Sequence, residues 1–325
     1  MKRYLAEFIA AFFLVFVGAG AIISDGFLSQ IRVTDSFGPL GIAIAHGLAL
    51  AVAIAAIARI SGGHANPAVS LAFFVARRMT FVDFIAYVFS QLLGAVAAAF
   101  LLKKLLVSEA VAFAGVGVPG LADGLKDFQG AAIEVILTFF LVFVIWGVAV
   151  DKKGPKAIAP FAIGLTVTFD ILAGGAFTGA AMNPARWFGP ALANMDGFTL
   201  NGFKEAFAHW PVWTAGPILG ALLASLLYET FFLDEEVEVE VVMAGDDFDD
   251  DLDDDLEDAV VVSSSQTTSQ MTSDWRDTPS PMTPPSPTPP AVGPDSPMTP
   301  PPPPPAQPDR PTDSGPGPEG GTSNP

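Results

Sequence analysis

The chain has 325 residues, 51% of them hydrophobic, a mean hydropathy of +0.47, no cysteine and a formal charge of −18. Residues 1–230 carry 13 acidic and 14 basic side chains, whereas residues 231–325 carry 21 acidic and 2 basic ones, with 20 of the 29 prolines. The negative charge therefore says nothing about the first stretch, and the absence of cysteine excludes disulfides and thiol chemistry.

Six apolar segments are long enough to cross a bilayer core of ~30 Å, which takes about 20 helical residues. They are expected at residues 5–23, 40–58, 81–102, 130–150, 158–173 and 211–231. Six such runs with so few charges are too many for a soluble core to bury, so they read as spans. No small-residue cleavage site follows the first run and more spans come after it, so it reads as a span and not as a removed leader.

Orientation follows from Lys and Arg near the span ends. With the N-terminus inside, the inner segments hold Lys2, Arg3, Arg59, Arg77, Arg78, Lys152, Lys153 and Lys156, and the outer ones Arg32, Lys103, Lys104, Lys126 and Lys204. The bias predicts both termini on the cytoplasmic side.

The chain repeats itself. Glu7 precedes Phe12-Phe-Leu-Val-Phe-Val17 by five residues, and Glu134 precedes Phe139-Phe-Leu-Val-Phe-Val144 by five. The halves, about 1–105 and 128–231, each have three spans, so the second copy enters from the opposite side. Such an inverted repeat places its site near the midplane, between broken helices.

Between the second and third spans of each half lies an Asn-Pro-Ala triplet: Ser61-Gly-Gly-His-Ala-Asn-Pro-Ala-Val69 and Thr178-Gly-Ala-Ala-Met-Asn-Pro-Ala-Arg186. Asparagine is a good N-cap, and proline suits the first helical position because its missing N–H would be unpaired there. Half-helices are therefore expected at 68–76 and 185–193, too short to span. Their positive ends, worth roughly half a charge each, would meet at the midplane, with the amides of Asn66 and Asn183 facing one spot. A water held by two donors must point its hydrogens away from the centre, which breaks a proton wire and repels cations. Capping and donating coexist in this arrangement.

The two triplets, the half repeat, His64 and Asn183-Pro-Ala-Arg-Trp-Phe-Gly-Pro-Ala191 together resemble the aquaporin (major intrinsic protein) family over about residues 3–231. The resemblance implies an all-α membrane fold of six transmembrane helices plus two half-helices, with pore motifs Asn66, Pro67, Ala68 and Asn183, Pro184, Ala185. It also implies an outer selectivity constriction at His46, Ile171, Ala180 and Arg186, an inner pore mouth at His64, and buried acids Glu7 and Glu134 that accept hydrogen bonds from the non-helical backbone ahead of each half-helix. The His-Ile-Ala-Arg set is similar to that of vacuolar-type plant aquaporins. It implies water with ammonia, urea or peroxide as further solutes, and the residue after Arg186, Trp187, is not the aspartate usual in glycerol facilitators. Trp187 also departs from the family's usual serine, and is expected to narrow the vestibule or to anchor at a lipid or subunit interface. Asp170 is unusual in a span and is expected at the outer mouth. His209 and Trp210 open the sixth span at the interface. The family further implies a homotetramer, one pore per protomer, passive flow and no cofactor.

After Phe231 the composition changes. The acidic block 234–258 and the Pro, Ser, Thr and Gly of 279–325 bury too little apolar surface to offset ordering entropy, so 232–325 reads as a disordered cytoplasmic tail. Its Ser/Thr-Pro steps, as in Thr283–Pro287, are expected to act as a spacer or to bind a cytoplasmic protein. Neither a catalytic constellation nor a metal cluster is evident, so an enzyme is not expected, nor are charged rings of an ion channel or a nucleic-acid partner. A membrane scaffold acting through the tail is the alternative of a different class. The short loops point to the cell membrane, and the vacuolar-like filter leaves an intracellular membrane open.

Overall fold

The computed structural model describes residues 1–31, 36–195, 197 and 199–233; the tail expectations lie outside the described residues. Ten α-helices follow one another among them: α1 Lys2–Gln30, α2 Gly38–Ser61, α3 Pro67–Val75, α4 Phe81–Leu105, α5 Ser108–Ala114, α6 Asp127–Ile145, α7 Ala159–Thr178, α8 Pro184–Asn194, α9 Leu200–Ala206 and α10 Trp210–Phe231. Six are long and apolar enough to cross a membrane: α1, α2, α4, α6 extended by a π turn at Trp146–Val150, α7 with its 3-10 lead from Lys156, and α10. Each expected span is present. Several run further than hydropathy marks, α1 by seven residues beyond Ile23, because helical hydrogen bonding continues through polar residues such as Ser24 and Asp25. The short α5 and α9 were not expected. Neither has an apolar run of span length, and hydropathy does not register such pieces.

Glycines let several helices cross with backbone against backbone, and they occur in repeat-related pairs. Gly94 of α4 lies against Phe8 O and Phe12 N of α1, and Gly220 of α10 against Val135 O and Phe139 N of α6. The two halves meet where Gly47 of α2 and Gly164 of α7 face each other's carbonyl oxygen. A Cβ at any of these positions would strike backbone, which cannot rotate away. Gly94→Ala and Gly220→Ala are accordingly expected to cost about 1–3 kcal/mol each by overpacking, read as a lower unfolding temperature in detergent. Gly120→Ala, which has open space around it, should leave that temperature unchanged.

Many large apolar side chains face outward, among them Phe89, Ile136, Phe169 and Leu226. In water they would make an unstable surface, and in a bilayer they are the solvent-matched one.

Candidate functional site

Both triplets start a half-helix as expected, with the asparagine as N-cap and the proline first in the helix, at Pro67 and Pro184. Asn66 caps α3 by accepting from Ala68 N–H at 2.8 Å. Asn183 caps α8 by accepting from Ala185 N–H at 2.9 Å and Arg186 N–H at 3.3 Å. Their amide nitrogens reach across to the other half: Asn66 Nδ2 donates to Met182 O and Asn183 Nδ2 to Ala65 O, each at 2.8 Å. Each amide carries two donor hydrogens, so one remains on each side for a molecule in the cavity both residues line.

The approach to each half-helix is non-helical and follows the same path in both halves. Gly62, Gly63 and Ala65 have φ of 90°, 69° and 50°, and their counterparts Gly179, Ala180 and Met182 have 77°, 43° and 51°. Left-handed backbone at a non-glycine residue costs roughly 1–2 kcal/mol, so something must hold it. The buried acids do so. Glu7 accepts from Ser61 Oγ at 2.7 Å, His64 N–H at 3.0 Å, Ala65 N–H at 2.7 Å and Gln91 Nε2 at 2.8 Å. Glu134 accepts from Thr178 Oγ1 at 2.7 Å, Ala181 N–H at 2.9 Å and Met182 N–H at 2.7 Å. Tyr87 and Trp213 each add a side-chain donor to the start of the turn, on Ser61 O at 2.7 Å and Thr178 O at 2.9 Å.

The halves differ beside these turns. Ser70 accepts from Gln91 Nε2 at 3.0 Å in the first half, and the positions matching Ser70 and Gln91 in the second are Trp187 and Pro217. With no buried amide left to satisfy, that site takes an aromatic. Trp187 is 2% exposed and stacks on Trp213 at 5.7 Å. It is absent from the lining of the cavity that holds the two asparagines. The expectation that it narrows the vestibule or anchors at an interface is corrected: the ring is buried inside the protomer.

The four residues expected at the outer constriction line that same cavity of about 230 Å³. Arg186, 3% exposed, donates from Nε to His46 Nε2 at 3.2 Å and from Nη1 to Gly117 O at 3.0 Å. His46 Nδ1 lies 2.9 Å from Ile42 O, a pairing that assigns the proton to Nδ1 and leaves Nε2 as acceptor. Gly18 makes room for the imidazole, since a Cβ there would overlap the ring. Ile171 and Ala180 complete the group. His64 lies further along the same lining, with Nδ1 3.1 Å from Ser70 Oγ and its ring 4.3 Å from that of Phe73.

Three supporting residues gave no local signal in the sequence. Gly117 contributes only a carbonyl oxygen and belongs to a 3-10 turn that packs on Ala19. Gln91, a lone polar residue inside the third span, bridges Glu7 and Ser70 with its amide nitrogen. Lys103 weakened the charge bias that sets orientation, but its Nζ donates to Ala193 O at 2.6 Å, placing a cation at the negative end of α8. Asp170 is corrected too: it is 4% exposed and buried in the protein, not at an open mouth.

Residues 1–228 match the family described as Major intrinsic protein. The chain belongs to this family. It is 42% identical to aquaporin TIP2-1 of Arabidopsis thaliana over 248 residues, 75% of this chain and 92% of that protein. It is 41% identical to the probable TIP-type aquaporin RB7-18C of Nicotiana tabacum, over 72% and 88% of the two chains. Among solved structures it is similar to the aquaglyceroporin from Plasmodium falciparum, with a TM-score of 0.64 and 22% identity over 71% of this chain and 96% of that one. That likeness shows the fold. The protein is therefore an integral, multi-pass membrane channel for water or small solutes, and not an enzyme.

Proposed function

We propose that this family member is a passive water channel that excludes protons and ions. In this reading Asn66, Pro67, Ala68, Asn183, Pro184 and Ala185 form the midplane site, His46, Ile171, Ala180 and Arg186 the outer constriction, and His64 the inner mouth. The observation that carries it is the pair of asparagine amides, each fixed by a bond to the opposite segment and each with a donor left over at one cavity. A water accepting from both orients its hydrogens outward, and the two half-helix N-termini add positive potential at that point. Arg186 adds a fixed charge where cations would enter. Hydrogen bonds along the Glu7 and Glu134 turns hold this geometry, so water gains donors without the site having to reorganise.

The reading carries a homotetramer with one pore per protomer, both termini cytoplasmic, residence in the cell membrane, a channel domain of 1–231 and a tail of 232–325. Small neutral solutes are a second cargo. His46 in place of a bulky aromatic and aliphatic Ile171 leave the constriction polar on one side and apolar on the other, and the relatives are TIP-type aquaporins. The test is stopped-flow light scattering on proteoliposomes with water, ammonia, urea and glycerol. Water flow well above empty vesicles with little glycerol flow is expected. Equal water and glycerol flow would overturn the assignment of the constriction. Removal of 232–325 separates the channel from a tail-based scaffold, since permeability should survive it.

A further inference from the structure

On α7, Val167 and Ile171 line the cavity, and Asp170 lies between them in sequence without lining it. Its face is shared with Gly174, one turn on, where a Cβ would meet Leu137 and Ile133 of α6. The two helices are antiparallel, so Asp170 falls one turn further along α6, at the level of Leu137, Thr138 and Leu141. Its Oδ2 is buried and has no donor among the described residues, and neither has the Oγ1 of fully buried Thr138. Glu134, one turn before Thr138, is committed to Thr178, Ala181 and Met182. The elements packed on α7 are α2, α6 and the turns at 146–150 and 156–158. None of their charged or titratable side chains, His46, Arg59, Asp127, Glu134 and Lys156, bonds to Asp170.

Buried polar oxygens in folded proteins have partners, often an internal water. An ionisable residue within a span is costly and marks a functional site unless paired. We propose that Asp170, with Thr138 in the same layer, is a second binding site behind the pore wall for a small neutral hydrogen-bond donor of the class of water or ammonia. The site makes Asp170 a specificity-determining residue. Close-packed hydrocarbon resists displacement, whereas a wall backed by an exchangeable small molecule yields, so Ile171 moves aside for solutes larger than water. This rests on the reading of Ile171 as part of the conducting path.

The test compares wild type, Asp170→Leu, which fills the site and removes the acceptor, and Asp170→Asn, which keeps an acceptor and the shape. In proteoliposomes the urea-to-water permeability ratio is expected to fall severalfold in Asp170→Leu and to stay at the wild-type value in Asp170→Asn. An unchanged ratio in folded Asp170→Leu overturns the proposal, as does an equal fall in both variants. Wild-type water flow above empty vesicles, measured in the same series, tests the channel reading separately. A crystal structure of the wild type at a resolution that shows waters provides a measurement independent of variant folding. Density for a small molecule at hydrogen-bond distance from Asp170 Oδ2 is expected, and a dry oxygen, or one paired with a protein donor, contradicts the proposal.

Discussion

Replacing Arg186 by valine is expected to raise urea and glycerol permeability about tenfold, the effect of lowering a barrier by about 1.4 kcal/mol, with a much smaller change in water flow. The guanidinium lines the cavity beside His46, and two of its five N–H donors go to His46 Nε2 and Gly117 O. Valine is shorter, carries no charge and leaves both acceptors open to a passing solute. The same vesicles should become leaky to small cations, since a fixed positive charge no longer opposes them. Stopped-flow light scattering with each solute, alongside a potassium flux assay, reads both effects. Unchanged solute flow in folded Arg186→Val would place the constriction elsewhere.

The second large effect concerns stability. Glu134→Gln is expected to cost about 3 kcal/mol, the upper end of the range for leaving a buried donor without its acceptor. Glutamine keeps the size but replaces one acceptor oxygen by a donor, so at least one of Thr178, Ala181 and Met182 faces a donor instead of an acceptor. A buried donor left unmatched costs about 1–3 kcal/mol on its own, and Ala180 and Met182 sit in left-handed backbone that these bonds hold in place. The check is the fraction of monodisperse protein surviving a temperature ramp in detergent. Glu109→Gln, on the exposed face of α5, should behave as wild type to within about 0.5 kcal/mol. Equal behaviour of the two variants would mean that Glu134 is not what braces the turn.

Much of this architecture can be read from residue order because the same physical demand occurs twice. A helix that starts inside a bilayer needs a cap, a residue that forgoes its N–H, and acceptors for the irregular backbone ahead of it. Asn66, Pro67 and Glu7 meet those needs, and Asn183, Pro184 and Glu134 meet them again 117 or 127 positions later. Spans are legible for the same reason that they exist, since twenty apolar residues in a row have few other uses. What sequence does not reveal are partners supplied by shape. Gly117 offers Arg186 a carbonyl oxygen, which every residue possesses, and only the path of the turn places it there. Gly18 matters because of the imidazole packed on it. The burial of Trp187 depends on Trp213 and on the loss of the serine–glutamine pair found in the first half, a comparison that requires knowing which positions correspond in space. Lys103 illustrates the converse: a charge that counted against the predicted orientation is used to hold the end of α8.

The central claim is that water passes and protons do not. The most direct measurement loads one batch of proteoliposomes with a pH-reporting dye and records osmotic shrinkage and internal acidification on the same sample, after an osmotic step and after an external pH step. Shrinkage much faster than in empty vesicles, with acidification no faster than in them, is the predicted result. Acidification that accelerates together with water flow would contradict the assignment of Asn66, Asn183 and Arg186 to a water-selective pore.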